Sequence, residues 1–186
     1  MKGRRIVITL FLFCSTMVVA NAQTDYKGRN GKVKFFSEAP LENIVAESNM
    51  ATSIFNEPTG EVAVLIPVKS FVFRKKLMQE HFNENYLESD KYQDASFTGK
   101  ISLAKSLKEA ASHVANISGT LTIHGVSKQR DFSATLSVNA DGALTAKGKF
   151  NVKLEDHNIK IPSLLFRNIA ETVEVSFELQ LKTNKP

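Results

Sequence analysis

The chain has 186 residues, with 24 basic against 19 acidic side chains and a single Cys. Its length points to one domain, and one Cys excludes an internal disulfide. Three of the basic residues sit in an N-terminal leader; the other 21 leave a balance of +2, too small for a nucleic-acid footprint or a strong pull to an anionic bilayer.

Lys2, Arg4 and Arg5 precede the apolar run Ile6–Ala20, which ends in Ala20-Asn21-Ala22. A positive start, an apolar run and an A-x-A site mark a secretory signal peptide. Residues 1–22 are therefore expected to be removed, leaving residues 23–186 as one mature domain. The run is too short for a bilayer span of ~20 residues, so the mature chain is expected to have no transmembrane span. Cys14 leaves with the leader. Phe13 stands before it, where a lipid-anchoring Cys wants a small residue.

From there the chain alternates. Lys32–Ser37 reads as a short strand, and Ile44–Asn56 as two strands or one bent strand. Glu61–Val68 puts Val62, Val64, Ile66 and Val68 on one face; Pro67 cannot donate to a ladder and marks an edge or an end. Over Lys75–Tyr86 the period changes. Leu77, Met78, His81, Phe82 and Asn85 form one stripe at helical spacing. Period two returns with Ile117, Gly119, Leu121 and Ile123, then with Phe132, Ala134, Leu136 and Val138. Asp141-Gly142 is a hairpin signal. Leu144, Ala146, Gly148, Phe150, Val152 and Leu154 follow in register. A helical turn is expected after Pro162, and Val173, Val175, Phe177, Leu179 and Leu181 close the pattern. Alternation of this kind marks half-buried strands.

About eight antiparallel strands with one or two short helices cannot cover both faces of an open sheet. The sheet must close or fold into a sandwich, and long strands in hairpin order favour an all-β up-and-down barrel. At about eight strands the interior either fills with side chains or leaves room for one slender ligand. The inward small residues Gly119, Ala134, Ala146 and Gly148 argue for unfilled volume, unless each faces a large side chain and the core packs solid.

Three stretches carry a family resemblance: "HFNENYLESDKYQDASFTG" (81–99), "SGTLTIHGVSKQRDFSATL" (118–136) and "GKFNVKLEDHNIKI" (148–161). In order and spacing they resemble the YceI-like family, the lipid- or polyisoprenoid-binding domain of secreted bacterial proteins, over roughly residues 31–182. The chain departs from the family pattern at Gln93, at Ser127 and at His157-Asn158, which replace a Pro, a Thr and an aromatic-Gly or aromatic-Asn pair. The resemblance implies an extended antiparallel eight-stranded lipocalin-like β-barrel. It also implies an apolar channel for a long-chain isoprenoid, quinone or fatty-acyl molecule, and a periplasmic, secreted location.

Motifs for chemistry are weak. The four histidines, His81, His113, His124 and His157, show no zinc spacing, and no metal site is expected. His124 reads as a solvated or turn-adjacent residue on the polar face of its strand. Ser102-Leu103-Ala104-Lys105 has S-x-x-K form without its partner motifs. The inward faces carry almost no titratable group, so no enzyme activity and no cofactor is expected beyond the lipid ligand itself. The expected channel lining is Val64, Ile66, Phe97, Leu121, Ile123, Phe132, Leu136, Phe150, Val152, Val175 and Phe177. His81, Phe82 and Asn85 are expected at the channel mouth, with Glu80, Asn83 and Glu84 facing water. Two alternatives stay open: a filled barrel that acts through its surface, and an enzyme on a lipidic substrate. An exposed strand edge would support a homodimer.

Overall fold

Strict alternation becomes strand, and the breaks in it become bulges and turns. The computed structural model describes residues 25–38, 42–103, 107, 111–161 and 170–183. Its strands are β1 (Asp25–Ser37), β2 (Ile44–Asn56), β3 (Glu61–Pro67), β4 (Val72–Phe73), β5 (Asp94–Ser102), β6 (Ser112–Ile123), β7 (Val126–Val138), β8 (Leu144–Lys153) and β9 (Thr172–Thr183), with one short α-helix, α1 (Lys76–His81). The leader, the turn expected after Pro162, and Ala104 and Lys105 of the S-x-x-K match lie outside the described residues.

The sheet closes. Its order is β1-β9-β8-β7-β6-β5-β3-β2, and β1 pairs with β2 to complete the ring. These pairings are all antiparallel, giving an eight-stranded barrel. β4 lies outside the ring and adds two residues to the first half of β2. Closure removes the long free edges that an open sheet would present.

Local chemistry sets the irregular points. β1 is far longer than Lys32–Ser37. Its buried positions run Tyr26, Gly28, then Gly31, Val33, so the inward phase slips by one residue. The register shifts there and Asn30 takes φ 58°, as a bulge requires. β2 is one continuous strand, not two. β3 stops at Pro67, which has no N–H to give; the next amide, Val68, donates to the Gln93 carbonyl at 2.8 Å. β6 and β7 join through His124-Gly125, with φ 52° and 72°, the pair of positive values that a tight mirror-image hairpin turn needs.

One seam interrupts the wall. β7 pairs with β8 only from Ala134–Gly148 to Val138–Leu144. Beyond that the strands diverge. Their inward rings, Phe132 and Phe150, stack across the gap with centroids 4.7 Å apart. Below them the turn after β8 folds back on β7: Arg130 Nη2 donates to Asp156 Oδ2 at 2.6 Å, and His157 Nδ1 donates to the Val126 carbonyl at 2.9 Å.

The interior divides into two halves. At one end Tyr26, Phe55, Ile101, Leu107, Ala115, Ile117, Leu136, Leu144 and Leu181 are buried in one continuous apolar cluster, with the Tyr26 and Phe55 rings stacked 6.0 Å apart. This half is solid. The other half encloses space.

Candidate functional site

The space is a cavity of about 420 Å³. Its length follows β9, whose inward residues Val173, Val175, Phe177 and Leu179 all touch it. Six residue steps at ~3.3 Å make this wall roughly 20 Å long. β5 contributes Ala95, Ser96 and Phe97, β6 Leu121 and Ile123, β7 Phe132, β8 Phe150 and Val152, and β1 Val33, Phe35 and Ser37. Nearly every wall atom is apolar, as in pockets that select ligands by shape.

Two phenylalanine clusters bound it. At the mouth, Phe82 stands 5.5 Å from Phe35, 5.8 Å from Phe71 and 4.9 Å from Phe73 between ring centroids. These contacts seat α1 across the barrel end. At the floor, Phe132 meets Phe97 at 5.4 Å and Phe177 at 5.9 Å, besides its stack on Phe150.

The floor explains the small residues. Gly99 and Gly119 are register partners on β5 and β6. A Cβ at Gly119 would lie 2.7 Å from Cζ of Phe97, and one at Gly148 would lie 2.7 Å from Cζ of Phe177. Ala134 would be the next neighbour of that Gly148 Cβ, at 3.2 Å. Here Gly119 and Gly148 create no volume; they are the seats of floor rings, and Ala134 is buried beside Gly148. Ala146 is likewise buried in the solid half. The cavity lies on the far side of the rings.

Of the expected lining, Val64, Ile66, Phe97, Leu121, Ile123, Phe132, Phe150, Val152, Val175 and Phe177 border the cavity. Leu136 does not. It faces inward, fully buried, but four residues beyond Phe132 it lies ~13 Å further along the strand, in the solid half. Alternation assigns a face and is silent on depth.

At the mouth, His81 and Phe82 border the cavity and Asn85 does not; Asn85 is exposed. The cause is a widened turn. Past His81 the helix loosens into one π-type turn over Phe82–Tyr86, closed by the Leu87 amide on the Phe82 carbonyl at 2.9 Å. An i→i+5 turn moves the stripe on by one residue, so Tyr86 and Leu87 take the inward place. Asn83 is half-buried instead of facing water: its Nδ2 donates to the Gln79 carbonyl at 3.0 Å, and its Oδ1 is buried without a hydrogen-bond partner. Glu80 and Glu84 are exposed.

Among the described residues, four polar side chains touch the wall: Ser37, His81, Tyr86 and Ser96. Ser37 is already engaged, accepting the Ala170 amide at 3.0 Å. Burial pushes the Tyr86 phenol above its usual range. Among the described residues no group of three or more His, Cys, Asp or Glu could hold a metal ion.

Beside the mouth, His124 sits in the β6–β7 turn, as one of its two expected readings had it, and is largely buried there. Its Nε2 lies 2.7 Å from Glu88 Oε2, its Nδ1 lies 3.1 Å from the His157 carbonyl, and Tyr92 packs edge-on at 4.4 Å. The β6–β7 turn thus ties the segment after α1 to the turn after β8. His157 itself is fully buried. Desolvation pushes its imidazole below the usual histidine range, against the pull of the Val126 and Ile123 carbonyls. The Asp156 carboxyl is held low chiefly by its hydrogen bond from Arg130.

Sequence reasoning missed Phe71, Phe73, Leu87, Ala95 and Ile159 on the cavity wall, and left Val68 and Leu154, read on the right faces, out of the lining. The nearest signal was "FVF" (71–73), too short to show a period.

Known structures share this architecture. A polyisoprenoid binding domain from Saccharophagus degradans, implicated in plant cell wall breakdown, is 17% identical, with a TM-score of 0.74 over 87% of this chain and 99% of that one. Burkholderia cenocepacia BcnA is 20% identical, with a TM-score of 0.68 over 81% and 95%. The Campylobacter jejuni YCEI protein is 17% identical, with a TM-score of 0.62 over 80% and 90%. No curated protein matches the sequence. Residues 14–181 match the YceI-like domain, and the chain belongs to that family.

Proposed function

We propose that this protein binds one amphiphile by its apolar tail and sequesters or carries it. The observation that carries the reading is the cavity: about 420 Å³, walled almost wholly by apolar side chains and open at an end spanned by a short helix. Each tail CH₂ that leaves water for such a wall gains ~0.8 kcal/mol, so a long tail needs little polar help. The polyisoprenoid binding domain of similar fold supports the same ligand class. His81 and Tyr86 stand where a head group would rest.

The protein acts by binding, without catalysis, since the cavity wall offers few groups that could serve as base or nucleophile. The signal-peptide pattern over residues 1–22 supports a periplasmic site of action.

Native mass spectrometry after gentle purification, followed by organic extraction, tests the reading. A co-purifying lipid, or a thermal shift with isoprenoid alcohols, quinones or fatty acids, is the expected result. A ligand-free protein indifferent to all three would overturn it.

A further inference from the structure

We infer that the site takes a single tail of about fourteen to sixteen carbons, acyl or prenyl, and that the phenylalanine floor sets this limit. The inference rests on the lipid-binding reading above and adds a length to it.

Three observations combine. First, the volume is small. At ~30 Å³ for each water-sized chain group, about 420 Å³ holds roughly fourteen groups. Second, the space is elongated: its wall on β9 runs roughly 20 Å along the strand, the outline of one extended chain.

Third, the tube has a built end. Phe97, Phe132, Phe150 and Phe177 meet in edge and stacked contacts with centroids 4.7–6.5 Å apart. The Phe97 and Phe177 rings lie on Gly119 and Gly148 so closely that a Cβ there would strike them. These rings are held from beneath, and behind them the barrel is solid down to Leu136 and Leu144, at 0% and 1% exposure. A tail cannot thread further without unseating packed aromatic side chains. Carbons beyond about the sixteenth stay at the mouth, beside Leu77, which is 61% exposed.

The test is a chain-length series on delipidated full-length mature protein. Saturated fatty acids from ten to twenty carbons, with farnesol and geranylgeraniol as prenyl probes, are titrated below their aggregation limits by calorimetry. Affinity should rise about fourfold per methylene and flatten near fourteen to sixteen carbons, with farnesol and geranylgeraniol nearly equal. Phe132→Ala removes one floor ring and should move the plateau to longer chains. A steady rise to twenty carbons overturns the length limit while leaving tail binding intact. No binding at any length overturns both. An unmoved plateau in a folded Phe132→Ala variant overturns the assignment of the floor. If that variant does not fold, the wild-type series still decides the limit.

Discussion

Gly119→Ala is the sharpest test of how the floor is built. In an ordinary strand, Ala in place of Gly gains ~0.5–1 kcal/mol. Here the added Cβ would lie 2.4 Å from the Thr98 carbonyl oxygen, 2.6 Å from Cα of Gly99 and 2.7 Å from Cζ of Phe97. The first two are backbone atoms of the paired strand, so relief requires β5 and β6 to part. The third is a ring tip that must swing into the cavity. Overpacking of this kind costs ~1–3 kcal/mol. With two backbone contacts the upper half of that range applies, and subtracting the Ala gain leaves a net loss of about 2 kcal/mol. Urea unfolding should show a lower midpoint with an unchanged slope. Adding Phe97→Leu should recover only the ring's share, a coupling on the order of 0.5–1 kcal/mol, because the backbone contacts remain. If Gly119→Ala is neutral or stabilising, the glycine pair is not the seat of the floor.

Other consequences are equally specific. The folded pKa of His157 is lowered, so between that value and the unfolded value of ~6.5 the unfolded chain binds the extra proton. This group's share of stability is therefore complete above pH ~6.5 and lost as pH falls below it. In urea titrations from pH 7.5 to 5, His157→Gln should flatten the wild-type decline. A decline as steep as wild type would refute this. Phe82→Ala breaks the mouth cluster; full burial would make it ~3–5 kcal/mol, and a half-buried ring bordering a void should give about 2–3 kcal/mol in thermal or urea unfolding. Arg130→Met unlatches the turn after β8 from β7, and hydrogen exchange should quicken across 126–133 while the solid half keeps its protection. His81→Leu should weaken carboxylate-headed probes more than alcohols of the same length in calorimetry, with stability within about 0.5 kcal/mol of wild type.

The barrel was largely legible because period-two patterning is local and strict over 117–123, 132–138, 144–154 and 173–181. β1 was half-read for a physical reason: a bulge at Arg29-Asn30 inverts the phase, so Tyr26 and Gly28 do not continue the pattern of Val33. The site was legible as a face, which is why ten of the eleven expected lining residues border the cavity. Depth along the barrel depends on strand stagger, which no window of sequence contains; Leu136 fell on the wrong side of the floor for that reason. Asn85 was misplaced by a wide turn over Phe82–Tyr86, closed by the Leu87 amide on the Phe82 carbonyl, which no residue type announces. The small residues misled most. A glycine facing inward has two outcomes, a void or a seat for a ring, and the partner that decides between them sits on another strand.

The two halves of the interior have different energetics. By the cost of ~24 cal/mol per Å³ found for empty apolar cavities, a dry void of about 420 Å³ would cost on the order of 10 kcal/mol. That is comparable with the whole stability of a typical domain, ~5–15 kcal/mol. An open mouth reduces the cost, since the wall near it is partly wetted. A chain with a single Cys has no internal disulfide to offset such a cost. Two features carry it instead. The solid half supplies the packing that lets the barrel close without help. The hollow half is left with a cost that a tail removes on entry, and a ligand that binds only the folded form stabilises it by RT ln(1 + [L]/Kd). The void is then the source of the affinity: apolar wall that packing could have filled is kept bare, ending where Phe97 and Phe177 sit down on glycine.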